Sequence, residues 1–155
     1  MRLLPYESQS IMDYTTRFLT IADYEQLMEL WRKSDLSHRP QGRDSRSAIE
    51  LEMKRKETCF IGMFDGPKMI GSVIGSSDGR KGWINRLAID PDYRRRGLGG
   101  VLITECEKFL YGLGLKVIAA LIEGDNTASF AAFKKAGYHH APDIAYYSKR
   151  QSPDD

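Results

Sequence analysis

Between residues 58 and 89 the chain carries three short apolar runs separated by tight polar turns. TCFIGMF (58–64) and MIGSVIGS (69–76) flank Asp65-Gly66-Pro67-Lys68, and DGRKG (78–82) leads into WINRLAI (83–89). Runs this close together pair with their chain neighbours, so the pattern predicts an antiparallel meander. Asp90-Pro91, an extended or turn dipeptide, ends its last strand. Everything else must pack on this sheet.

The flanking segments change period. TTRFLT (15–20) alternates weakly and reads as a first strand. DYEQLMELWRKSD follows as a helix with Tyr24, Leu27, Met28 and Trp31 on one face, capped by Thr20 or Asp23. Residues 35–44 read as a loop, and a second helix covers about 45–56. Beyond the meander, residues 98–114 form an amphipathic helix with Leu98, Leu102, Cys106, Phe109 and Leu113 on its stripe. Gly112 and Gly114 supply its stop. KVIAALI (116–122) reads as a buried strand. A short helix (127–137) follows, capped by Asp125 or Asn126, and a last strand or hairpin runs to about residue 150. The order β-α-α-β-β-β-α-β-α-β predicts an α/β (α+β) fold, a mixed sheet with helices on its faces.

Composition excludes several classes. A chain of 155 residues can bury one core without staples. Its net charge of +2 argues for no nucleic-acid partner. No apolar run approaches the ~20 residues of a membrane helix, and the first 14 residues have too short an apolar stretch for a signal peptide. The expectation is a cytoplasmic protein with a loose leader (1–14), one domain (15–150) and a tail (151–155). Cys59 and Cys106 show no metal or disulfide spacing and read as small buried residues. No metal is expected.

The stretch PDYRRRGLGG (91–100) joins a strand to a helix. A helix N-terminus offers free N–H groups and partial positive charge to an anion. Gly97, Gly99 and Gly100 let a pyrophosphate approach the backbone, while Arg94, Arg95 and Arg96 add charge beside it. Three readings compete: a solvated basic loop with glycines for turning, a Walker loop and a dinucleotide fold. A Walker loop is excluded, since no Gly-Lys-Ser/Thr follows. The dinucleotide fingerprint fits Gly97 and Gly99 but meets Leu102 where its third glycine belongs, although Glu123 lies near the distance of the ribose-binding acid.

Here the residues resemble the GNAT superfamily of N-acetyltransferases. LAIDPDYRRRGLGG (87–100) matches the family's strand, proline turn and glycine loop, and NTASFAAFKKAGY (126–138) matches its downstream motif. The resemblance covers about residues 15–150. It implies a mostly antiparallel GNAT-type sheet with about four helices, and acetyl-CoA as co-substrate. Leu87, Ala88 and Ile89 would meet the pantetheine arm, and the loop from Arg94 to Gly100, including Leu98, would hold the pyrophosphate. An N–H near Ala88 or Ile89 would stabilise the oxyanion. Asn126 would bond the cofactor arm, with a plain helix cap as its compatible alternative.

The resemblance implies direct transfer to an amine. An alkylammonium titrates near ~10.4 and needs a base; the departing thiolate, near ~8.5, can use a proton donor. The family's usual tyrosine donor position holds Phe133, which can only pack on the cofactor arm. The family's glutamate position holds Leu121; Glu123, two residues on, is the candidate base. Asn85, Arg86 and His38 are candidate substrate contacts. His139 and His140 read as surface residues, and Tyr138, Tyr146 and Tyr147 as packing aromatics. The acceptor is a small-molecule amine or a protein amino group, entering through the face built by the 35–46 loop and the C-terminal hairpin. A catalytically weak acyl-CoA-binding module and a dinucleotide-dependent oxidoreductase are the alternatives. A homodimer is left open.

Overall fold

The computed structural model describes residues 13–155. Five strands, β1 (Tyr14–Phe18), β2 (Thr58–Asp65), β3 (Lys68–Ser77), β4 (Gly82–Ile89) and β5 (Ile118–Ala120), form one sheet in the order β1-β2-β3-β4-β5. All neighbours are antiparallel except β4 and β5, which are parallel. Four helices cover it: α1 (Tyr24–Lys33), α2 (Arg46–Met53), α3 (Leu98–Gly112) and α4 (Thr127–Lys135). The expected mixed, mostly antiparallel architecture is present. Among the described residues, no helix is long and apolar enough to cross a membrane.

The meander forms where its turns direct it. Gly66 takes a φ of 58° in the first turn, a conformation that costs glycine little. Asp78 holds the second: it accepts the Lys81 and Arg80 N–H groups and the Trp83 indole N–H, which keep its carboxyl at about 2.

Strand alternation divides the core in two. Cys59, Ile61 and Met63 of β2 face α3, whose Leu98, Leu102, Ile103, Cys106 and Leu110 are buried. Phe60 and Phe64 face the other way, against Leu27, Leu30 and Trp31 of α1 and Ile49 of α2. Helix α3 lies close to β3 because Gly75 has no side chain. A Cβ there would stand 2.5 Å from the Cys106 Sγ and 3.0 Å from the Cys59 Sγ.

Several expectations are corrected. The buried stripe of α3 includes Ile103 and Leu110 in place of Phe109 and Leu113; Leu113 follows the end of the helix and is exposed. In α1, Leu30 is buried while Tyr24 and Met28 are only partly so. Asp23 holds the N-cap position of α1 without a side-chain bond to it; its carboxylate instead takes the Thr20 N–H, in a capping box on the 3-10 turn (Ile21–Asp23) that leads into α1, and the Arg17 guanidinium, each at 2.9 Å. The strand at 116–122 shrinks to three paired residues, with Val117 and Leu121 exposed, because it is an edge strand with one partner. Residues 139–150 form no strand or hairpin; Pro142 lacks a donor and sits in a turn closed from Ile144 to Ala141. The leader assigned to residues 1–14 lies almost wholly outside the described residues.

Gly75→Ala should destabilise the protein by about 1–3 kcal/mol in urea denaturation through overpacking. Cys106→Ala in the same background should recover much of that loss, since it removes the sulfur that the new methyl meets. Full additivity of the two substitutions would refute this account.

Candidate active site

The site begins with an irregularity in β4. Ser72 pairs with Ala88 and Ile74 with Asn85, so Arg86 and Leu87 stand opposite Val73 alone. Such a bulge bends a strand and increases its twist. Arg86 adopts a left-handed φ of 58° there. The parallel pairing to β5 stops at Ile84 and Ala120, immediately before the bulge. Beyond that point nothing pairs the two strands, and a cleft opens on each side.

The first cleft, about 1020 Å³, runs along Leu87, Ala88 and Ile89, over the glycine loop and beside α4. The second, about 910 Å³, lies among the loop after α1, Glu52 of α2, Asn85–Leu87 and residues 121–126. Leu87, Arg94, Asn126 and Ser129 line both, so the clefts are continuous.

The bulge is held by side chains that the sequence reading did not connect. The Arg86 guanidinium donates to Asp44 and to the Ser37 carbonyl, both at 2.9 Å, and stacks over Trp31 at 4.9 Å. Asp44 is buried and also accepts the Arg39 N–H at 2.6 Å. Trp31 in turn donates to the buried Ser72 hydroxyl on β3. The loop after α1 and the bulge are therefore one packed unit.

After β4 the chain enters a 3-10 turn (Pro91–Tyr93) capped by Asp90, which accepts the Asp92 N–H at 2.9 Å. Asp90 is only 1% exposed and pairs with Lys33 at 2.8 Å, with Lys68 at 3.6 Å. Burial by itself would raise its titration. The bonds from Lys33 and Asp92 outweigh it and hold the carboxyl below its ordinary range. Arg95 and Gly97 then take left-handed φ values of 65° and 75°. Gly97 is the N-cap of α3 and has no side chain to cap it, so the first-turn N–H groups stay open. A Cβ at Gly97 or Gly100 would meet open space; one at Gly99 would lie 3.5 Å from Ala132.

The loop's arginines part company. Arg94 and Arg95 line the first cleft. Arg96, expected beside them, does not: it bonds the Tyr14 hydroxyl and lies over the Tyr93 ring at 5.0 Å. Tyr93 donates to Asp65 at 2.6 Å, a bond that pushes its hydroxyl up to about 12. The sequence pattern of three arginines carries no signal for which one turns away. Leu98 borders the cleft while packing into the core.

Of the downstream residues, Asn126 caps α4 by accepting the Ser129 N–H at 3.1 Å and borders both clefts. Phe133 is buried and lines the second cleft rather than the first, edge-on to Tyr138 at 5.0 Å. Tyr138 is no free acid, since burial and its 2.6 Å bond to Glu107 raise it. Glu123 lines the second cleft, exposed, three residues past the last paired residue of β5. Leu121 lines the same cleft, although the strand that was to align the two has ended. His38 packs edge-on against Trp31 and bonds the Leu36 carbonyl.

Arg39 lines the second cleft from the loop expected to admit the acceptor; among the cleft residues that sequence reasoning missed are Ser34, Glu52 and Ser129. Ser34 donates to the Ile89 carbonyl at 3.2 Å. Glu52 follows the fully buried Ile49 by three positions on α2, a spacing that could have found it. Burial, with Asp44 nearby, raises its carboxyl.

The sequence pattern of the Acetyltransferase (GNAT) family matches residues 24–138, which include both strands of the cleft and both loops. The chain belongs to that family. It is an acyltransferase. Among relatives, it is 31% identical over 128 residues to the acetyltransferase SG1711 of Sodalis glossinidius (strain morsitans), covering 83% of this chain and 89% of that one. The fold is similar to the PaiA N-acetyltransferase from Thermoplasma acidophilum in complex with coenzyme A (TM-score 0.70, 22% identity, 79% and 87% of the two chains). It is also similar to AAC(6')-Iy in complex with the bisubstrate analog CoA-S-monomethyl-acetylneamine (TM-score 0.73, 17% identity, 88% and 98%).

In this GNAT domain, Asp90 anchors the turn that delivers the glycine loop. Its lowered carboxyl stabilises the fold at neutral pH, and that contribution is lost as pH falls through the folded-state value. Asp90→Asn should lower the urea midpoint at pH 7. The gap between variant and wild type should narrow steadily as the pH is lowered below about 4. A gap that stays constant down to pH 2 would show that Asp90 acts by packing alone.

Proposed function

We propose that this acetyltransferase binds acetyl-CoA in the first cleft and transfers the acetyl group directly to a primary amine held in the second. The observation that carries the reading is the continuity of the two clefts at Leu87 and Asn126, where β4 and β5 part. A thioester lying along Leu87–Ile89 would there face an amine from the other side.

The open N–H groups of α3, with Arg94 and Arg95, suit the pyrophosphate. The backbone near Ala88 and Ile89 would supply the oxyanion donor. The chemistry is assigned to side chains and backbone. Cys59 and Cys106 lie buried against each other, 4.0 Å apart, and line neither cleft. A thiol acyl-enzyme therefore has no support, and attack by the amine nitrogen on the thioester carbon is the simpler course. Phe133 has no proton to offer the leaving thiolate. The amine, with its higher pKa, needs help more, and Glu123 is the carboxylate assigned to accept its proton, directly or through water.

Gly99→Glu should abolish acetyl-CoA binding measured by calorimetry, through bulk beside Ala132 and like charge against the pyrophosphate. Unchanged affinity in a folded variant would remove the loop from the site.

Glu123→Gln should lower turnover roughly a hundredfold at neutral pH, with cofactor affinity intact. The deficit should shrink as the pH approaches the amine's own pKa, where free amine needs no base. The test is thiol release from acetyl-CoA across a panel of amines, and wild-type turnover at pH 7 in the variant would exclude Glu123.

A further inference from the structure

The second cleft carries cations whose commitments differ. Lys33 is paired with Asp90, and Arg86 with Asp44 and the Ser37 carbonyl. Arg150 donates to the Asp155 carbonyl, and the Arg94 Nε faces the Ile89 carbonyl at 3.4 Å.

Arg39 is different. Its backbone is pinned three ways: its N–H donates to Asp44 at 2.6 Å, and its carbonyl accepts the Gly42 and Asp44 N–H groups, each at 3.0 Å. The Asp44 that holds it is itself clamped by Arg86, so the base of the side chain is fixed to the β4 bulge. Yet its Nε is buried with no hydrogen-bond partner, the single such side-chain nitrogen or oxygen among the described residues. The residue is half-buried and lines the second cleft. A buried donor on a permanent cation is costly to leave unmade. The two Nη groups, which are not closed off in this way and make no hydrogen bond or ion pair among the described residues, present parallel N–H groups, the fork that a carboxylate matches. Arg43, exposed in the same loop, adds charge of the same sign to the cleft.

We propose that Arg39 is a specificity-determining residue that takes a carboxylate of the acceptor, so that the substrate is an amine bearing a carboxylate, of the amino-acid class. This rests on the amine-transfer reading above and names its substrate. The cleft's carboxylates complete the match. Asp44 is spent on Arg86, while Glu52 has no ion-pair partner among the described residues, leaving an anionic wall for an ammonium and a cationic corner for a carboxylate. A polycationic acceptor would set positive charge against Arg39 and leave its guanidinium without an anion.

The test measures thiol release with amines offered in pairs, each an amino acid and its carboxamide, lysine and lysinamide among them. Phosphoethanolamine is included to separate phosphate from carboxylate. Wild type should prefer the acid member of the productive pairs by tenfold or more in kcat/KM, expressed chiefly in KM. Arg39→Met should bring that ratio close to one, and Arg39→Lys should restore part of it. Unchanged acetyl-CoA affinity by calorimetry verifies that each variant is folded. Equal use of acid and amide by wild type, a preference that survives Arg39→Met, or a stronger preference for phosphoethanolamine would each overturn the proposal. If acetyl-CoA binds and no amine of either kind releases thiol, the transfer reading itself fails, and this assignment falls with it.

Discussion

The bulge at Arg86 and Leu87 is the constraint on which the site depends. A regular β4 would continue its pairing with β5, close the sheet and leave no gap between the two clefts. The extra residue turns the strand away after three paired positions. A left-handed arginine is a strained element, and it persists because its surroundings over-determine it. Here the determinants are the bidentate use of the guanidinium on Asp44 and Ser37 and its stacking on Trp31. A buried pair of this kind contributes little net stability but fixes geometry strongly, because removing either partner strands a charge. The same clamp also fixes the loop after α1, which forms the wall of the second cleft. Cleft opening and the shape of that wall are thus coupled through one ion pair.

A second constraint acts on the other side of β4. Helix α3 must start where the strand has delivered the chain and must leave its first turn uncapped. Asp90 closes the turn before it, Arg95 and Gly97 reverse the backbone, and Gly97 supplies no capping oxygen. Farther along, Gly75 on β3 lets the helix sit against the sheet, with Cys59 and Cys106 filling the space a side chain would occupy. The open end of α3 is held in place by contacts more than a turn away from it. This is the usual requirement for an anion site made of backbone: the donors must be rigid, since they have no side chain to adjust.

Membership of the GNAT family accounts for the first cleft, which is built largely from backbone and glycine. The second cleft is built from side chains, and here likeness of fold says least. Lys33, Asp44 and Arg86 are held in ion pairs, and what distinguishes the cleft is the set that has no ion-pair partner among the described residues, Arg39, Glu52 and Glu123 among them.

The amino-acid sequence by itself determined the meander, because tight turns between apolar runs leave neighbouring strands little choice of partner. It determined the glycine loop opening α3, and narrowed the cap of α4 to Asp125 or Asn126, for the same local reason: a turn or a helix end is specified by a few consecutive residues. It also carried the family's two motifs, and with them the acyltransferase class. What it did not determine is where long side chains go. Arg94, Arg95 and Arg96 are identical in sequence terms, yet Arg96 leaves the cleft because the Tyr14 hydroxyl, from a distant segment, meets it over the ring of the neighbouring Tyr93. The length of β5 was likewise decided by tertiary structure, since an edge strand ends where its one partner bends away. Asp44, Arg86 and Trp31 are separated by up to 55 positions, and Glu52 meets the cleft only because α2 packs across β2. Their association has no local signal; it arises when burial of the apolar faces brings the elements together and each buried charge must find a partner.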